Sequence, residues 1–119
     1  MPGEGKRNRQ KGDRVEREIV KMHTNIGVDA ERVPLSGAQG GSFGGDIILS
    51  PTYIDLAERE GRSTLQWKGE VKSRKTGFKL LERWLDGVNL LFLKPPRVPP
   101  LVVMTWDTYE DILKRLKGD

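Results

Sequence analysis

Thr64-Leu65-Gln66-Trp67-Lys68-Gly69-Glu70-Val71-Lys72-Ser73-Arg74-Lys75 is the stretch on which the reading of this chain turns. In a strand, successive side chains point to opposite faces. Leu65, Trp67, Gly69 and Val71 then lie on one side, and Gln66, Lys68, Glu70 and Lys72 on the other. The apolar set faces a core. The polar set projects a carboxylate and an ammonium side by side, with roughly 7 Å between their Cα atoms on the strand rise. A metal ligand beside a cation that polarises phosphate has this form. A solvated strand face carrying cross-strand salt bridges has it as well.

Upstream, the loop LSGAQGGSFGG over 35–45 leads into Asp46, which opens the apolar run Ile47-Ile48-Leu49. Five glycines in that loop make it mobile or let backbone approach a ligand closely. A plain connector is the alternative. The segment SPTYIDLAEREG that follows reads in two ways. It is a brief helix capped by Ser50, with Pro51 at the first helical position and Gly61 as the stop, or a ragged hairpin extension.

Farther out, Val15, Ile19, Met22 and Ile26 recur at helical spacing and predict a helix over 13–26, closed by Gly27 and opened by an Asp13–Glu16 capping box. Residues 1–11 lack apolar periodicity and carry Lys6, Arg7, Arg9 and Lys11, which predicts a flexible basic arm. His23 reads as an ordinary surface or boundary histidine. Val28–Pro34 is a short strand, and 63–73 is the central one. Phe78, Leu81, Trp84, Leu85 and Val88 form one helical face, with Trp84 assigned to the core. Strands follow at 89–93, read as buried, and at 101–106, separated by KPPRVPP. An Asp107–Glu110 capping box opens a last helix in which Ile112, Leu113 and Leu116 face inward. The order predicts one α/β domain over 1–119, a mixed five-stranded sheet flanked by helices.

Composition narrows the chemistry. A chain of 119 residues has room for one small core. Lys and Arg number 21 against 17 acidic residues, and the pI near 9.5 tilts toward a polyanionic partner. With no cysteine and a single histidine, disulfides, thiolate catalysis and cysteine- or histidine-based metal sites are set aside. Carboxylates and lysine remain. No apolar span or leader is visible, so a soluble, intracellular protein without a membrane partner is expected.

Asp46 at a strand start, followed by Glu70-x-Lys72 in the next strand, resembles the pattern of the PD-(D/E)xK nuclease superfamily. KGDRVEREIVKM, RVPLSGAQGGSFGGDIIL and GEVKSRK, in this order over roughly residues 11 to 75, are similar to blocks of the archaeal-type Holliday junction resolvases, also met in viruses. The resemblance implies a restriction-endonuclease-like core. It also implies a site in which Asp46 and Glu70 hold Mg²⁺ (or Mn²⁺), Val71 adds its carbonyl and Lys72 is the catalytic lysine. The first glutamate of the family's KG-x-x-x-ERE block falls on Glu16, which becomes a further acidic ligand or remains a helix cap. The family's turn serine falls on Ser36. The glycine-rich loop, the insertion from Pro51 to Gly61 and the half beginning about Gly77 depart from the family.

Lys11, Arg17, Ser36, Lys68, Arg74 and Lys75 are candidate phosphate contacts, which position DNA without reading its sequence. A four-way junction has two symmetric cleavage points and this chain holds one site. The implied unit is therefore a homodimer on branched DNA, with Trp84, Phe92 and Trp106 as candidates for its surface. The rival expectations are a PD-(D/E)xK nuclease acting on another DNA structure and a non-catalytic DNA-binding module of the same fold.

Overall fold

The computed structural model describes residues 2–33 and 46–118, with backbone alone for 2–11. The glycine-rich loop with Ser36 lies outside the described residues, as does the side chain of Lys11.

Helix α1 spans Pro2–Asn25. Proline suits the first helical turn, where its missing N–H has no intrahelical role, and the Lys, Arg and Gln residues over 6–11 are good helix formers. The segment expected to be a flexible arm is thus helical backbone, continuous with the helix expected from Asp13. The helix ends where its sequence implies. Val28 N–H donates to the His23 carbonyl and Gly27 N–H to that of Thr24, both at 3.0 Å, a Schellman closure with Gly27 at φ +83°. Placing Asp13 and Glu16 mid-helix removes the expected capping box. Their carboxylates take Arg32 instead, at 2.8 Å from Nη2 to Asp13 and 3.1 Å from Nε to Glu16.

Strand β1 (Asp29–Arg32) pairs antiparallel with β2 (Ile47–Ser50), and β2 with β5 (Trp67–Gly69). Between them β3 (Thr52–Ile54) and β4 (Arg62–Thr64) form a hairpin, the second of the two readings of that segment. Asp55 builds its turn by accepting from the Ala57 amide at 3.0 Å and the Ser63 hydroxyl at 2.9 Å. The strand expected over 63–73 is therefore two strands in two sheets. Pro51 has no N–H to continue the β2 ladder, and the Leu65 amide donates to its carbonyl at 2.8 Å where the chain passes from one sheet to the other.

Helix α2 (Lys79–Leu85) leads into β6 (Leu90–Leu93), which pairs with β7 (Leu101–Met104) before helix α3 (Trp106–Lys117). Among the described residues the chain is mixed α/β, with three helices and small antiparallel sheets of three, two and two strands. The described strands do not assemble into the single five-stranded mixed sheet expected. β6 finds its partner in β7 through a local connection instead of pairing beside β5, and local pairing has the smaller loop-closure cost. Two further expectations change with it. No α2 residue is buried, Trp84 is 48% exposed, and Phe92 in the strand read as buried is 60% exposed. At α3 the cap is Thr105, whose Oγ1 accepts from the Thr108 amide at 3.3 Å, and Glu110 pairs with Lys114 instead of closing a box with Asp107. Leu113 faces inward as expected, but Ile112 is exposed.

The buried apolar side chains among the described residues are Val28, Ile47, Leu49, Pro51 and Leu113. His23 joins them at 3% exposure, deeper than the surface or boundary position expected of it. Its Nδ1 lies 2.7 Å from the Ile19 carbonyl, which can only accept, so Nδ1 carries the proton. Nε2 then accepts from the Tyr109 hydroxyl at 2.8 Å. Burial pushes the Tyr109 phenol up, which keeps it a donor. Trp106 and Tyr109 pack edge-on against the imidazole at 5.1 and 5.4 Å between ring centroids, joining α3 to α1. Tyr109→Phe keeps the rings and strands the buried Nε2 without a donor. The expected outcome in urea denaturation is a loss of about 1–3 kcal/mol.

Candidate active site

Asp46 sits one residue before β2, and three of its groups are bound. Its amide donates to the Gly69 carbonyl at 2.8 Å, and its carbonyl accepts from the Val33 amide at 2.9 Å. These bonds continue the ladders on both sides and set the backbone between β1 and β5. The third bond places the side chain: Oδ2 accepts from the Val71 amide at 2.8 Å. Val71 lies beyond the end of β5, so a carboxylate does there what a strand partner does elsewhere.

Gly69 makes the close approach possible. A Cβ on it would stand 2.8 Å from Ile47 Cγ1. The register pairs Ile47 with Gly69, and Asp46 and Glu70 are the next residues along the chain beyond that pair. Two carboxylate-bearing residues thereby lie at the same end of the sheet. Lys72 joins them, its Nζ 3.2 Å from Glu70 Oε1, both side chains more than half exposed. An exposed pair of this kind adds at most about 1 kcal/mol to stability. Its value lies in putting an ammonium and a carboxylate together at the surface.

The donors at this end are hard oxygens: the carboxylates of Asp46 and Glu70 and the carbonyl of Val71. Among the described residues no group of three or more acidic, histidine or cysteine side chains assembles. Mg²⁺ typically takes one or two carboxylates and keeps several waters, so this donor set fits it.

The other candidates separate. Glu16 is held by Arg32, and Arg32 stands opposite Ile47, so Glu16 and Asp13 belong to the same end of the sheet as Asp46 but carry a structural pair. Arg32 and Asp13 had no functional reading in the sequence, since a lone arginine in a short strand gives no signal of two helix carboxylates beside it. Arg17 donates through Nε to the Asp13 carbonyl at 3.3 Å and is exposed. Lys68 projects from β5 opposite Ile48, while Arg74 and Lys75 are exposed just past Lys72. Lys68, Lys72, Arg74 and Lys75 thus put four cations within eight residues around Glu70.

Comparison with family models, with curated proteins and with solved structures returns no match. Meaning must come from the site itself.

Gly69→Ala tests how the site is held. The added methyl meets Ile47, which is 2% exposed and closely surrounded. Overpacking of this kind should cost about 1–3 kcal/mol in thermal or urea unfolding.

Proposed function

We propose that this protein is a Mg²⁺-dependent endonuclease of the PD-(D/E)xK type, with a restriction-endonuclease-like core, that hydrolyses phosphodiesters in four-way DNA junctions as a homodimer. The 2.8 Å hydrogen bond from the Val71 amide to Asp46 Oδ2 carries this reading, because it brings the aspartate and the Glu70-Val71-Lys72 triplet to one place. The antiparallel β1-β2-β5 order behind a leading helix supports the same core.

Asp46, Glu70 and the Val71 carbonyl would hold the cation. When bound, Mg²⁺ supplies Lewis-acid polarisation of the scissile phosphate and lowers the pKa of a coordinated water. Val71 N–H fixes the orientation of the Asp46 carboxylate. Lys72 has an ammonium within reach of Glu70, where it orients the attacking water or stabilises charge on the phosphoryl oxygens of the transition state. Arg17, Lys68, Arg74 and Lys75 contact phosphates and supply the salt-dependent part of affinity. A junction offers two equivalent phosphates, and two copies of a one-site chain match that symmetry.

A synthetic four-way junction, incubated beside a linear duplex, a flap and single strands, tests the proposal. Cleavage should favour the junction, require Mg²⁺ or Mn²⁺, stop in EDTA and not return with Ca²⁺, whose looser coordination favours binding over hydrolysis. Full cleavage in EDTA overturns the metal role, and equal cleavage of the flap moves the substrate to branched DNA in general.

Asp46→Asn, Glu70→Gln and Lys72→Ala should each abolish cutting. Junction affinity should stay within about tenfold, or roughly 1.4 kcal/mol, because phosphate contacts elsewhere dominate binding. A Lys72→Ala protein that cuts normally removes Lys72 from the site.

A further inference from the structure

Eight of the twelve exposed large apolar side chains among the described residues fall between residues 80 and 102, in α2, β6, β7 and their connections. The strands read LLFL and LVVM, apolar at every position and without a charge. Strands built to face water on one side alternate apolar with polar residues, whereas continuous apolar runs belong to strands covered on both faces. The register sets Leu90, Phe92, Val102 and Met104 on one face of the pair. Leu90 is 40%, Phe92 60% and Val102 51% exposed. A two-stranded sheet alone in water is marginal, and α2, which packs on β6, has no buried residue with which to complete the cover. Leu80 and Trp84, one turn apart on α2, are each 48% exposed.

At about 150–250 Å² per aromatic side chain, and somewhat less per aliphatic one, these exposures leave roughly 400–500 Å² of apolar area uncovered. That equals the largest apolar patch on a typical monomer, about 300–600 Å², and such patches often mark functional surfaces. A standard interface takes about 800 Å² from each partner, of which about 56–58% is non-polar.

We propose that the apolar face of β6–β7, with the Leu80–Trp84 stripe of α2, is the surface on which a second copy of this chain docks. Its apolar area is about the non-polar share of one side of a standard interface, and its uncharged strands give a polyanion nothing to bind. A two-fold interface lays the same patch against itself, so each copy brings apolar area equal to what it covers. Pairing also supplies apolar cover beyond what the few buried apolar side chains among the described residues provide in one chain. The surface named here serves the homodimer proposed above. It rests on exposed area and strand pattern, not on the nuclease reading, so DNA-free measurements can sink it while the metal-dependence test stands.

Sedimentation equilibrium of the full chain at about 20 μM, without DNA, should give twice the 13.5 kDa chain mass, an assembly typical of specific interfaces in the standard size class. The double variant Phe92→Lys, Val102→Lys places charge in the patch and should weaken dimerisation at least about a hundredfold, as loss of a central apolar anchor does, with its circular dichroism unchanged. Because the chain has no cysteine, a single Phe92→Cys substitution provides a second readout if the lysine variant does not fold. Mild oxidation should link two copies through position 92, and Glu58→Cys on the exposed β3–β4 turn should not link. A monomeric wild type overturns the proposal. So does a dimer that survives the lysine variant, or one that links at 58 and not at 92.

Discussion

Three hydrogen bonds to one residue hold one end of the three-stranded sheet together. Asp46 gives its amide to Gly69, receives Val33 on its carbonyl and receives Val71 on its carboxylate. The first two are ordinary ladder bonds. The third is a charge-assisted bond, the stronger kind, and it acts where the ladder has run out. Beyond Gly69 the chain enters no further strand until β6, so Glu70, Val71 and Lys72 owe their position to this carboxylate. Gly69 is the condition for it, since any side chain there would press on buried Ile47.

Around that end, charge and aromatic packing divide the work. Arg32 gathers Asp13 and Glu16 and so fastens α1 to β1. His23, bonded at both ring nitrogens, fastens α1 to α3 from within. Lys117 adds a bond to the Gly27 carbonyl at 3.2 Å, so α3 is tied to the end of α1 near both of its own ends. These ties leave the Glu70–Lys72 pair at the surface, bound to each other and reachable by a polyanion.

The other half of the chain has the opposite character. Its strands are as apolar as a protein interior, yet α2 is short and the β6–β7 pair stands apart from the three-stranded sheet. A small domain has little surface to bury against itself. A self-complementary face is a physical answer to that shortage, and it coincides with the two-site symmetry the proposed substrate would demand.

The sequence by itself marked several local elements and named the candidate site residues. Helical periodicity with Gly27 marked the end of α1, apolar runs marked β2, β6 and β7, and Asp46, Glu70 and Lys72 were singled out by residue type and order. Only the tertiary structure decided that Asp46 reaches Val71, that Glu16 and Asp13 serve Arg32 in place of a helix cap, that His23 is buried, and that Trp84 and Phe92 stay exposed. Each of these depends on partners distant in sequence. Periodicity shows which face of an element is apolar, but what covers that face is set by strand register, by the Pro51 break in the ladder and by whether a second copy is present.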